Sequence, residues 1–118
     1  MADDDEKYIV IPTSAVAQLS EVRLYGETWT DKISVQHSEV AELGQAAVVD
    51  TVANPTHVYD SHTNPGKALV FVSETNTYLG KPLRVPVKIH SGTSGRVITA
   101  YVSGGTYSGA RLWSAKDE

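Results

Sequence analysis

The chain has no cysteine and no run of eighteen apolar residues. Without thiols it can form neither a disulfide framework nor a thiolate nucleophile or metal ligand. Without a long apolar run it offers no helical membrane span. Three familiar catalytic signatures are also missing: G-x-S-x-G, the phosphate-binding P-loop and H-E-x-x-H. The N-terminus, Met1-Ala2-Asp3-Asp4-Asp5-Glu6-Lys7, is acidic where a signal peptide would be basic. The expected setting is therefore cytoplasmic, or that of a domain within a larger exported protein.

What is present fits one folded unit. The chain is 118 residues long, 41% apolar and 20% charged, enough for a sheet with a covering layer of helices. Residues 1–7 read as a disordered acidic tail, 8–115 as a single domain and 116–118 as a second short tail. The net charge of −4 argues against a polyanionic partner only until its distribution is considered. Residues 31–60 sum to −4, whereas residues 61–111 sum to +5, through Lys67, Lys81, Arg84, Lys88, Arg96 and Arg111 against Glu74 alone. Such a half can bind phosphates locally despite the acidic total. It can equally be a solvated, mixed surface.

Period and punctuation give the elements. Tyr8–Ile11 reads as a strand, Ala15–Ser20 as a brief helix and Val22–Leu24 as a strand. Val40, Leu43, Ala47, Val48 and Val52 recur as a helical stripe beginning at Ser38. Gly44 is placed to split that helix, and Asn54-Pro55 ends it. Strands are then expected at His57–Tyr59, Ala68–Val72, Leu83–His90 and Arg96–Val102, with Leu112-Trp113 last. Residues 75–82 are expected to form a loop, and Pro86 an edge or bulge. The fold class expected is α+β, with N-terminal helices packed on one face of an antiparallel meander of about four strands.

Alternation leaves Arg84, Lys88, His90, Thr99 and Tyr101 on the face opposite the helices. With His37 beside the helix start, these residues supply imidazole, cation, hydroxyl and phenol. RNA transesterification needs little more: a base for the 2′-hydroxyl, an acid for the leaving 5′-oxygen, and cations for the phosphorane. Histidine suits the first two tasks near neutral pH, and Lys and Arg the third. No cofactor is called for. His57-x-x-Asp60-x-His62 could be read as a metal cluster but lacks the spacing of a known site, so no metal ligand is assigned. Charged and hydroxyl residues also alternate on strands merely for solubility.

Five stretches carry a wider resemblance: Ile33-Ser34-Val35-Gln36-His37-Ser38-Glu39-Val40; Thr51-Val52-Ala53-Asn54-Pro55 with Val58-Tyr59; Leu69-Val70-Phe71-Val72; Val85-Pro86-Val87-Lys88; and Val97-Ile98-Thr99-Ala100-Tyr101. Together, and with Trp113 near the C-terminus, they resemble phage and toxin ribonucleases of the barnase–EndoU–colicin–RelE superfamily. The resemblance covers about two-thirds of the chain and leaves residues 1–32 without a counterpart. It implies helices on a four-stranded antiparallel sheet and a metal-independent endoribonuclease leaving 2′,3′-cyclic phosphate ends. By that resemblance His37, Lys88, Thr99 and Tyr101 are catalytic. Arg84 and His90, which face the same way, are expected to bind substrate, and Arg96 at the start of the next strand is assigned with them. The partners implied are RNA, tRNA included, and a cognate immunity protein or antitoxin; no membrane is involved. A non-catalytic RNA-binding or phage morphogenesis module on the same fold is the alternative, and a small-molecule or immunity-type protein is a third.

Overall fold

A computed structural model describes residues 7–115; the expected acidic tail, Lys7 apart, and the short C-terminal tail lie outside the described residues. Strands β1 (Tyr8–Pro12) and β2 (Glu21–Tyr25) come first. A π-helical turn (Thr28–Ile33) runs into α1 (Ser34–Gln36), followed by α2 (Ser38–Leu43) and α3 (Gln45–Ala53). The rest is strand: β3 (His57–Asp60), β4 (Ala68–Tyr78), β5 (Lys81–Ser91), β6 (Ser94–Val97), β7 (Tyr101–Val102) and β8 (Arg111–Ser114). Among these residues no helix is long and apolar enough to cross a membrane.

The expected layout, helices on a four-stranded antiparallel meander, does not form. All the strands join one 8-stranded mixed sheet in the order β1-β2-β6-β5-β4-β3-β8, with β7 also paired to β5. The hairpin β1–β2 docks on β6 through a parallel ladder, Glu21↔Ser94, Val22↔Gly95 and Arg23↔Arg96. Residues 8–25 thus enlarge the sheet, a long-range pairing that local periodicity cannot register. The helix expected over Ala15–Ser20 is a series of bends and a turn. Its ends are tied elsewhere: Thr13 N–H donates to Ser20 O, Ser20 N–H to Thr93 O, and Thr13 Oγ1 to Val52 O.

One sheet face carries the core. Ile11, Val22, Leu24, Val58, Leu69, Phe71, Leu83, Val85, Val87 and Val97 bury against Val40, Val48 and Val52 of α2 and α3. Burying a side chain of this size contributes about 1.5–3 kcal/mol, so the short helices are held by packing rather than by their own propensity. Gly44 (φ 97°) separates α2 from α3. Gly95 lets the β1–β2 connection reach the sheet, since a Cβ there would lie 2.9 Å from Leu19, Val87 and the Lys88 carbonyl.

Two expected features of the sheet are corrected. Residues 75–82 are not a loop: β4 and β5 continue as a hairpin closed by Leu79-Gly80, both at positive φ (54° and 81°), a two-residue type I′ geometry. Arg96–Val102 is not one strand, because the ladder breaks at residues 98–100. Val97 and Ala100 both enter the core, three residues apart, which an unbroken strand with its period of two does not allow. Pro86 lies opposite this break. Its carbonyl accepts from Ile98 N–H at 2.9 Å. In an antiparallel strand a residue's N–H and C=O point the same way, so the donor that Pro86 lacks falls where the neighbouring strand is interrupted.

Candidate functional site

The second sheet face is divided. Over β3, β4 and one end of β5, the segment after β7 folds back. Tyr107 packs on Val70, Val72 and Tyr59. Arg84, 7% exposed, donates to Gly105 O at 2.9 Å and lies 5.4 Å from the Tyr107 ring. It therefore pins this flap and does not share an open surface with Lys88. Over β1, β2, β6 and the other end of β5 the face is uncovered.

On the uncovered part, register sets a row of cations. Arg23 pairs with Arg96 across β2 and β6, and Arg96 with Lys88 across β6 and β5. Directly opposed residues share a face, with Cβ atoms about 4.5–5.5 Å apart on antiparallel strands. Arg23 has Glu21 at 3.8 Å, whereas Lys88 and Arg96 have no ion pair among the described residues. Lys88 and Ile98 line a cleft of about 430 Å³ with Asn64, Lys67 and Ala68. The same two residues line an adjoining one of about 290 Å³ with Thr28, Lys32, Arg96 and Val97. Four cations thus border this pair of clefts, and no carboxylate is among the lining residues. Arg96 joins them to a third hollow, of about 340 Å³, where Arg23, Tyr25, His90, Ser94 and Glu21 meet.

His37 occupies the break between α1 and α2 (φ −133°, ψ 78°), outside both helical segments. There its ring reaches Tyr101, with centroids 6.3 Å apart, and its Nδ1 lies 3.8 Å from Glu39. Thr99 is in the interrupted segment, and its Oγ1 is buried without a hydrogen-bond partner among the described residues. The seven residues singled out from sequence thus fall into three groups. His37, Thr99 and Tyr101 belong to the neighbourhood of residues 98–101; Lys88, Arg96 and His90 to the cation row and its hollow; Arg84 to the flap. Tyr101 pairs with Arg84, four residues from Lys88, or roughly 13 Å along β5.

Arg23, Lys32 and Lys67 were missed as site residues. The alternation Glu21, Arg23, Tyr25 was readable, but only the β2–β6 register brings Arg23 beside Arg96. His57, by contrast, is held within the sheet: Nδ1 lies 3.0 Å from Ser114 Oγ and Nε2 3.1 Å from Glu74 Oε2. His62 meets the Tyr107 hydroxyl, and Asp60 accepts from Gly66 N–H. The three members of His57-x-x-Asp60-x-His62 therefore serve separate contacts. Elsewhere, a hollow of about 420 Å³ between Ala53–Pro55 and Trp113 contains no ionisable side chain.

Compared with known proteins, the chain matches no family model, no curated protein and no solved structure.

Proposed function

We propose that this protein binds RNA along the cation row and cleaves it by transesterification beside His37 and Tyr101, as a toxin- or phage-type ribonuclease would. The observation that carries the reading is the in-register placement of Arg23, Arg96 and Lys88. Like charges directly opposite one another in a sheet are destabilising, and a polyphosphate backbone is the chemistry that turns the arrangement to use. Lys67 and Lys32 extend the same field.

In the cleavage step His37 takes the 2′-hydroxyl proton and the 2′-oxygen attacks phosphorus. The P–O5′ bond breaks, and Tyr101 protonates the departing oxygen. The imidazolium next to Tyr101 then returns a proton to the phenolate, so both groups end as they began. Lys88 holds the backbone farther along the strand rather than the reacting phosphate.

That separation favours a second reading, a non-catalytic RNA-binding module. One experiment distinguishes them. The full chain is incubated with tRNA and mixed RNA in excess EDTA, and the product ends are analysed. Cleavage to 2′,3′-cyclic phosphate, lowered about a hundredfold or more in a folded His37→Ala variant, is the expected result. RNA that is bound but stays intact leaves the binding module. RNA neither bound nor cleaved removes both.

A further inference from the structure

The hairpin β1–β2 has no part in the cleavage step, yet it places two aromatic rings at the end of the cation row. Tyr8 and Tyr25 are directly opposite in register, with ring centroids 5.0 Å apart. Each carries a guanidinium: Arg23 lies 4.6 Å from the Tyr8 centroid and Arg96 4.5 Å from that of Tyr25. Tyr8 is 43% exposed. The hollow next to them is lined by Arg23, Tyr25, His90 and Arg96, with Glu21 as its one acid.

We propose that Tyr8, Arg23, Tyr25 and Arg96 form a stacking platform for unpaired bases, which makes the bound ligand a single strand. The inference rests on the RNA-binding reading and adds a strand-selecting subsite to it. Planar rings and guanidinium planes accept any base by its π-face, without reading its edge. In a duplex those faces are covered by neighbouring base pairs, so only an unpaired segment can use them. Charge decides the direction of the strand's path. The platform ends at Arg96, Arg96 adjoins Lys88, and Lys88 lines the next cleft with Lys67. From β1 to β4 is four strand spacings, roughly 19 Å, long enough for several nucleotides to lie with phosphates on the cations while one end stacks on the tyrosines.

The test uses the full chain and a fluorescein-labelled 12-nucleotide 2′-O-methyl RNA, which cannot undergo transesterification. A 12-base-pair duplex of the same sequence is the comparator, and affinity is read by fluorescence anisotropy at low salt. Tyr25→Leu should bind the single strand about tenfold more weakly and the duplex within about twofold of the native protein. Tyr25→Phe should restore the native affinity, since it keeps the ring. Tyr8→Leu, at a more exposed position, gives the same comparison if Tyr25→Leu fails to fold. Lys88→Gln should weaken both ligands. Single-strand binding unchanged in the tyrosine variants, or an equal loss for the single strand and the duplex, overturns the platform while leaving the cation row in place. A native protein that binds neither ligand overturns the platform and the RNA-binding reading together.

Discussion

Replacing Lys88 with glutamine should make the protein more stable and a worse RNA binder. Lys88 is directly opposite Arg96, with Cβ atoms about 5 Å apart, so the two charges come within about 6 Å of each other when both side chains rise straight from the sheet. In a water-like dielectric they repel by about 0.7 kcal/mol before screening. At about 10 mM salt, where the Debye length is roughly 30 Å, about 0.6 kcal/mol of that remains. At about 1 M salt, with a Debye length of roughly 3 Å, it falls to about 0.1 kcal/mol. Glutamine keeps most of the side-chain length and removes the charge. The gain at low salt should therefore appear as a rise of about 2–5 °C in Tm, shrinking towards zero in concentrated salt.

The functional half of this prediction has the opposite sign. For a single strand, every phosphate that Lys88 ceases to neutralise makes the fall of log K with log salt shallower by about 0.7. Differential scanning calorimetry at the two salt concentrations and an anisotropy titration against salt test both halves on the same preparation. A variant that is no more stable at low salt would show that the row is not under electrostatic strain. An unchanged salt slope would show that Lys88 does not meet phosphate. Either result refutes the reasoning from strand register to ligand.

Three further changes test the fold and its break. Leu79→Asn should raise stability by about 0.5–1 kcal/mol in urea unfolding, because Leu79 sits at φ 54° while 86% exposed, and Asn-Gly suits that turn; a loss would contradict the turn geometry. Thr99→Val, which removes a buried hydroxyl without a hydrogen-bond partner among the described residues, should stabilise by about 1 kcal/mol in the same urea unfolding. Asp50 accepts from Asn76 Nδ2 at 2.9 Å and Asn54 Nδ2 at 3.0 Å, and these bonds, Asn76 first, hold its carboxyl below the ordinary aspartate value of 3.8. A lowered folded-state value means the contribution is complete above the ordinary value and is lost as pH falls through the lowered one; acid unfolding curves should show that loss below about pH 4 in the native protein and not in Asp50→Ala.

Of the helical half, α2 and α3 were legible from particular residues, whereas the helical run Thr28–Gln36 carried no signal that was read. Gly44 divides α2 from α3, and Asn54-Pro55 ends α3, because both act through their own backbone geometry. The alternation over Leu83–His90 correctly puts Leu83, Val85 and Val87 in the core. Three features were not legible. The outer part of the β4–β5 hairpin, Glu74–Tyr78, is polar and partly or fully exposed, so it carries no apolar period to read. The break after Val97 shifts which residues face inward, so that Ala100 rather than Thr99 follows Val97 into the core. The pairing of β2 with β6 joins residues about seventy positions apart. The candidate site followed the same divide: Lys88 was visible on its own strand, whereas the facing of Arg96, Arg23 and the two tyrosines needed the sheet.

The interrupted ladder is where the fold and the proposed site constrain each other. If β6 ran unbroken into β7, Pro86 would face a strand whose hydrogen bond it could not return. The gap removes that conflict and gives residues 98–100 a path of their own. Ile98 then lines both basic clefts, the Thr99 hydroxyl has no partner among the described residues, and Tyr101 rejoins the sheet against His37. Replacing Pro86 with valine would restore the missing donor and favour a continuous strand. Such a repair should rigidify residues 98–100, seen as slower amide hydrogen exchange there. It should also lower RNA cleavage by a larger factor than RNA binding, because the cations of the row lie outside the gap while the placing of Tyr101 against His37 depends on it. Equal losses in binding and cleavage would mean that the break serves only to accommodate the proline.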